Sequence, residues 1–395
     1  MGWRQKAPLI KALMGILHGS RAFGGPLRAN ISLTNRCNIR CIHCFYHSPH
    51  LEKVNMHQLR AKTGEVEKIE ADQERTVALI NELVEMGTTS FIFTGGGEPF
   101  MHKNILDFIG RAKLAGANCK VNTNGTLLDR PRLDELIKTG LDELKITTMA
   151  GKAAMYVRTH PGAKEQTFSK LRDNLCYLAE RKAALAVKKP RVNLVYIAVA
   201  QNYDGIFDFV EFARQVRADK VSFRPVHDLD DPGLARVVPT AKQAAAVREQ
   251  LGAARSRLEA PELSHNIDSF LRVFQQDLNT RDLYRLIPCY YGWLLARIEP
   301  DGPVYPCCRC YESMGNIYER SFREIWYGGS YRRFRQEALS INRRRSGVRD
   351  CDCDSCPHHT ANLKVYKALH PATAWIRIKR LEQAFRKKAP VEAGV

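Results

Sequence analysis

No run of the 395 residues approaches the roughly 18 apolar positions that a membrane-spanning helix requires. The candidate stretch, Leu9 to Leu17, is broken by Lys11, and no small-residue cleavage site follows it, so no secretory signal is visible. Lys6 stands where a myristoylation signal wants Ser or Thr. There is no internal repeat. Negative charge is in deficit: 42 Asp and Glu face 61 Lys and Arg, a formal net charge of +19. The deficit is sharpest at the ends, where residues 1–28 contain no acid at all and residues 361–395 are again strongly basic. With 44% hydrophobic and 26% charged residues, disordered, collagen-like and coiled-coil chains are excluded. The chain reads as cytoplasmic, with peripheral membrane contact left open. The positive surplus points to an anionic partner: phosphate, carboxylate, nucleic acid or a membrane surface.

What is present in excess is cysteine. Twelve are too many to be incidental in a reducing compartment, where disulfides are not expected and metal or redox chemistry becomes the default. Cys37, Cys41 and Cys44 form one group, and seven more lie between Cys289 and Cys356. Cys119 and Cys176 stand alone in apolar segments and read as ordinary buried residues.

Five organisational units are expected. Residues 1–27 form a basic amphipathic helix with Trp3, Leu9, Ile10, Leu13, Met14 and Leu17 at helical spacing. That face packs on the main domain or lies on an anionic membrane, with Arg4, Lys6 and Lys11 meeting the lipid. In residues 28–226 short β-rich runs alternate with helical patterns, and Gly87, Gly116 and Gly140 follow three of those helices as stop signals. Six parallel βα units make an α/β fold, a partial (βα)6 TIM-type barrel. Residues 227–288 read as a helical connector, 289–360 as a small Cys-rich domain and 361–395 as a second basic helix. The charged stretch 48–71 is an excursion or a lid.

Cys37-Asn-Ile-Arg-Cys41-Ile-His-Cys44 follows the first strand directly. Three thiolates at this spacing can wrap one face of a [4Fe–4S] cluster and leave the fourth iron without a protein ligand. Zinc would want a fourth Cys or His, and His43 and His47 keep that alternative open. The array resembles that of the radical S-adenosylmethionine (radical SAM) family, with His43 as the aromatic-type residue before the third cysteine.

That resemblance implies a SAM-binding [4Fe–4S] cluster on Cys37, Cys41 and Cys44, reductive cleavage of SAM, and hydrogen abstraction by the resulting 5′-deoxyadenosyl radical. It implies that Gly95-Gly96-Gly97-Glu98-Pro99, ending the second strand, receives the methionine amino group, with Glu98 accepting from the ammonium. Asn122 and Asn124 fall where the family approaches the ribose, and Thr147 and Arg158 where it holds the carboxylate. Asn202 follows the fifth strand as a further cofactor contact. Met149 departs from the pattern, since many relatives carry Asp there.

Cys289, twelve residues, Gly302, four residues and Cys307 resemble the opening of the SPASM and twitch auxiliary-cluster domains. Asp301-Gly302-Pro303 signals a turn between two short strands that would bring Cys289 and Cys307 together. Cys353 and Cys356 would complete one auxiliary [4Fe–4S] cluster; two such clusters, or zinc at 351–359, are the alternatives. Cys308 and Cys310 are left as candidate catalytic hydrogen donors.

A reductant such as flavodoxin or ferredoxin is implied as a partner. The residues preceding the first strand offer no room for a cobalamin or leader-binding domain, and no RNA-binding module is recognisable, so nucleic acid is not expected. The expected substrate is therefore an anionic small or conjugated molecule, a sugar, aminocyclitol or lipid-linked precursor, that is oxidised or epimerised. Arg343-Arg344-Arg345 and Arg386-Lys387-Lys388 could hold its phosphates. A leader-independent peptide modifier is the alternative, and a non-enzymatic iron–sulfur or zinc protein a further one.

Overall fold

A computed structural model describes residues 3–52, 69–226, 231–258, 263–275, 284, 286–343, 347–354, 356 and 358–372. Most of the charged excursion, the runs Arg344–Arg345 and Arg386–Lys388, and the C-terminal basic segment beyond residue 372 lie outside them.

Six strands alternate with helices: β1 (Arg28–Ser32), β2 (Ser90–Thr94), β3 (Asn118–Thr123), β4 (Glu143–Thr147), β5 (Arg191–Ala198) and β6 (Lys220–Pro225). Between them run α2 (Gln73–Glu85), α3 (Ile105–Leu114), α4 (Arg130–Lys138), α5 (Ala153–Thr159), α6 (Glu165–Ala184) and α7 (Ile206–Gln215), after α1 (Trp3–His18). Asp72 and Asp129 cap α2 and α4 by accepting from Arg75 N and Arg132 N. Gly87, Gly116 and Gly140 adopt positive φ just beyond α2, α3 and α4, the conformation for which glycine is suited.

Neighbouring strands pair in parallel in the order β6-β5-β4-β3-β2-β1, and the sheet continues beyond β1. After the connector helices α8 (Ala241–Arg257) and α9 (Ile267–Gln275) and the short α10 (Tyr291–Leu294), β7 (Leu295–Ile298) pairs in parallel with β1. Then β8 (Val304–Tyr305) folds back antiparallel on β7 around Gly302, as the turn signal required. The hairpin of the Cys-rich segment is thus the seventh and eighth strand of the barrel sheet. Two helices, α11 (Phe322–Tyr327) and α12 (Gly329–Leu339), follow it, and α13 (His359–Leu369) comes after the last cysteines.

Side chains alternate across each strand. Phe91 and Phe93 of β2, Cys119 and Val121 of β3, and Leu144 and Ile146 of β4 are fully buried and belong to the main apolar cluster, which the covering helices complete. The other face is polar. Lys120 bonds Glu143, Asn193 bonds Glu143, and Ser222 bonds Asn193, forming a ladder from β3 to β6. The inner face of the sheet thus carries polar side chains that bond one another across the strands.

Of the expected apolar face of helix α1, Leu13 packs partly buried against the main cluster, while the helix otherwise buries a different face. Ala12 and Ile16 are buried, and Gly15 sits so close to the Trp293 indole that any Cβ would overlap it. Leu9, Ile10, Met14 and Leu17 remain exposed, Leu17 at 76%. The side chains of Trp3, Arg4 and Lys6 lie outside the described ones. Cys119 is buried as expected, whereas Cys176 is only half-buried.

Candidate functional site

The parallel sheet delivers the C-terminal ends of β1, β2, β3 and β4 to one rim. Cys37, Cys41 and Cys44 lie there as free thiols, and Cys44 N donates to Cys41 O at 3.0 Å. Burial, reinforced by the neighbouring Cys44, Cys37 and Glu98, pushes the Cys41 thiol well above its ordinary range. Burial likewise raises Cys37 to about 11 and raises Cys44. Such mutually repelling, desolvated thiols lose their protons when cationic iron replaces them, so assembly releases protons. The donor set is all thiolate, which suits an iron–sulfur cluster. Asn124 Nδ2 donates toward Cys37 Sγ at 3.9 Å and to Asn38 Oδ1 at 2.9 Å, fixing the first thiol from β3.

The glycines of the β2 loop have a structural cause. Gly95 has φ +141°, and a Cβ there would overlap the Ser32 hydroxyl at the end of β1. At Gly97 it would overlap the Arg36 carbonyl, which instead accepts from Glu98 N at 2.7 Å. The Gly96 carbonyl accepts from His47 Nε2 at 2.6 Å while its Cα lies under the Tyr46 ring. The two loops therefore pack as one unit, which sets the thiols beside the glycines.

Glu98 is 2% exposed. Its Oε1 accepts from Thr123 Oγ1 at 2.6 Å and from Phe100 N at 3.1 Å, and its Oε2 from Asn124 N at 2.7 Å. Pro99 then starts a 3-10 turn over Pro99–Met101. Burial raises the carboxyl's pKa, and these three donors oppose the rise. The carboxylate reserved from sequence for a ligand ammonium is thus also the brace between β2 and β3.

Asn122 donates to Thr94 Oγ1 at 3.1 Å across the β2–β3 ends, and Thr147 ends β4 on the inner face beyond Lys145. Two expected contacts are engaged elsewhere. Arg158 is half-exposed on α5 and reaches Met155 Sδ and Asp204. Asn202 is fully buried and uses its amide hydrogens on Met149 O and Ile197 O while accepting from Val199 N, so it pins the β5 loop.

Sequence reasoning missed the wall behind the thiols. Tyr156 and His160 are fully buried and stacked at 4.2 Å, and Thr159 O accepts from Ile42 N. Burial lowers His160 to about 4, and burial, then the nearby His160, lowers His43 to about 3. Both rings are neutral at pH 7. The signal was the Tyr156…His160 spacing of four on a helix, which puts both on one face.

The members of the second cysteine group influence one another electrostatically, although among the described residues no three such side chains are drawn together closely enough to hold a metal ion. Burial raises Cys289 well above its ordinary range, with Cys356, Cys353 and Cys307 adding to the rise, and burial raises Cys307, with Cys308 and then Cys356 and Cys353 adding to it. Tyr284 Oη lies 3.0 Å from Cys356 Sγ. These four thiols fit an auxiliary cluster. Changing Cys353 and Cys356 to Ala is expected to remove about four of about eight irons per chain, read by iron analysis; about twelve irons in the wild type would mean two auxiliary clusters.

Two expectations need correction. Cys310 and Cys351 form a disulfide across an isolated antiparallel bridge, so disulfide formation is not excluded here, and Cys310 has no hydrogen to give while bonded. Cys308 keeps its thiol, 3.3 Å from His358 Nε2, and that ring stacks on Tyr291 at 4.3 Å. Arg297, buried beside Glu299 and over the Tyr305 ring at 4.6 Å, donates to Cys308 O at 3.2 Å.

Two thiolate centres on one continuous partial-barrel sheet define an iron–sulfur enzyme with an auxiliary-cluster module. Residues 31–185 match the radical SAM superfamily, and residues 289–357 match the SPASM iron-sulfur cluster-binding domain. The chain is a radical SAM enzyme with a SPASM-type auxiliary domain, and its cofactors are a SAM-binding [4Fe–4S] cluster, SAM and auxiliary iron–sulfur. It is similar to the PqqA peptide cyclase of Streptomyces rochei, 26% identical over 357 residues that cover 86% of this chain and 84% of the relative. A shorter match, 30% over 116 residues, joins it to the Fe-coproporphyrin III synthase of Methanosarcina barkeri, covering 29% of this chain and 25% of the relative. In fold it resembles Streptococcus suis SuiB bound to S-adenosylmethionine, with TM-score 0.58 and 13% identity over 81% of this chain and 69% of that one. It also resembles anSMEcpe with bound AdoMet, with TM-score 0.56 and 16% identity over 92% of this chain and 96% of that one. Among the described residues no helix is long and apolar enough to cross a membrane.

Proposed function

We propose that this enzyme modifies a peptide, abstracting a hydrogen atom from one of its residues. The observation that supports this over a sugar or lipid-linked substrate is the likeness to a PqqA peptide cyclase along 84% of that relative. The SAM cluster supplies a carbon-centred radical when loaded. The chain's own part is to hold the three thiolates on the β1 loop, to position SAM between the Gly95–Pro99 loop and the β3 and β4 ends, and to seat the substrate in the lumen. A non-enzymatic electron carrier has no use for that loop.

The lumen favours a peptide with a carboxylate. Lys145 faces inward between Leu144 and Ile146, and burial, then the nearby Arg224, lowers its pKa from 10.5 to about 7. A lysine depressed in this way is charged below pH 7 and loses its charge as pH rises through 7. Affinity for an acidic peptide is therefore expected to fall across that window, and Lys145→Met should remove the step from the binding curve.

The deciding experiment incubates the anaerobically reconstituted, reduced enzyme with SAM and peptides of graded acidity, reading 5′-deoxyadenosine and peptide mass. Loss of two hydrogens marks oxidation, and solvent deuterium uptake marks epimerisation, with Cys308 as the candidate donor. Turnover of soluble sugars with no change in any peptide would sink the reading. For location we propose contact of α1 with anionic membrane through Leu9, Ile10, Met14 and Leu17, so binding to anionic vesicles at low salt is expected to reverse as salt rises.

A further inference from the structure

At the end of the sheet opposite the thiols, ahead of the first residue of β1, lies a cavity of about 620 Å³ lined by His18, Arg21, Phe23, Tyr327, Arg332 and Arg335 among others. Its lining includes no Asp or Glu. Arg335 is 1% exposed, and its guanidinium is enclosed by the rings of Trp326 at 4.6 Å, Tyr331 at 5.0 Å and Trp293 at 5.8 Å. Its protein partners are two carbonyls: Nε donates to Gly292 O at 2.8 Å and Nη2 to Trp326 O at 2.9 Å. Among the described residues no carboxylate forms an ion pair with Arg335, Arg332 or Arg21. A buried cation without a counter-charge is costly, and an anion supplied from outside would offset that cost.

The walls are tied in place. Trp293 Nε1 donates to Arg21 O at 2.9 Å and Trp326 Nε1 to Gly24 O at 2.8 Å, so the strand of chain carrying Arg21 and Phe23 is clamped to α10 and α11. Arg332 projects from α12, one turn before Arg335. Three guanidiniums and an imidazole around one recess suit a group with several oxygens and more than one negative charge, because a guanidinium can donate two parallel hydrogen bonds, as Arg21 and Arg332 would, while Arg335, whose Nε and Nη2 hold carbonyls, adds its charge.

We propose that this cavity binds a phosphate group, away from the SAM site and independently of which substrate that site takes. The phosphate belongs either to a soluble ester or to a lipid headgroup; the exposed Leu17, Met14 and Ile10 of the adjoining α1 offer the apolar contact that a lipid would use.

The test uses the full-length reconstituted enzyme. Inorganic phosphate is titrated by calorimetry at constant ionic strength, and vesicles of phosphatidylcholine with or without phosphatidylglycerol are assayed by sedimentation. Saturable phosphate binding is expected, weakened roughly tenfold or more by Arg21→Glu with Arg332→Glu, both exposed positions that folding tolerates. Arg335→Lys, which keeps the charge and loses the fork, should weaken it less while near-UV circular dichroism reports the fold. Leu17→Ser with Met14→Ser should leave phosphate binding intact; if inorganic phosphate at constant ionic strength displaces the enzyme from phosphatidylglycerol vesicles, the phosphate is a lipid's, and if it does not, or if wild-type enzyme ignores those vesicles, it is a soluble ester's. No saturable phosphate binding, or binding unchanged in the double Glu variant, overturns the site.

Discussion

Replacing Cys37, Cys41 and Cys44 together by Ala is expected to abolish 5′-deoxyadenosine formation and to leave about four of about eight irons on the chain. The three thiols are the ligands proposed for the first centre, and removing them takes away the free thiols of the β1 loop. The remaining irons should stay, because Cys289, Cys307, Cys353 and Cys356 sit beyond β6 in sequence and respond electrostatically to one another rather than to the first group. The paired measurement is iron content and SAM cleavage under dithionite. Full loss of iron would show that the second site forms only when the first is filled; retained cleavage would refute the assignment of the first centre.

The second large effect is expected at Glu98. A carboxylate that only met the SAM ammonium could be removed with iron content and stability untouched. Here it also holds Thr123, Phe100 N and Asn124 N in a site 2% exposed. Glu98→Ala leaves those donors without a partner, each at about 1–3 kcal/mol if water does not replace it. Asn124 in turn braces Cys37 through Asn38 and its own contact with the sulfur. Lower thermal stability and partial iron loss are therefore expected alongside weaker SAM binding. Glu98→Gln should fall between, since its amide nitrogen cannot accept from Asn124 N. A variant with unchanged melting temperature and iron, but weak SAM binding, would return Glu98 to a purely ligand-facing role.

Much of the fold was legible because parallel βα units announce themselves by period and by stop signals. The six barrel strands alternate with helices in the expected order, whereas the first helix, expected over residues 1–27, ends at His18. Its orientation was not legible. Leu9, Ile10, Met14 and Leu17 look like a buried face on hydropathy, yet small residues won the interface, because Gly15 allows the Trp293 ring to approach the backbone and larger side chains there would not. Likewise the glycines at 95 and 97 suggested room for a ligand, and close approach of the β1 loop is what the chain requires of them.

Sequence alone determined the chemistry of this protein: which cysteines group, that the first group follows a strand, and that a hairpin gathers the second. Those are local facts, set by spacing along a chain of fixed bond lengths. Tertiary structure alone decided the long-range ones. It joined β7 to β1, so that two cysteine groups some 250 residues apart in the chain share one sheet. It bonded Cys310 to Cys351, left Cys308 beside His358, and set a guanidinium among three aromatic rings with, among the described residues, no carboxylate paired to it. Such pairings depend on which surfaces bury the most area together, and spacing along the chain carries no record of that competition.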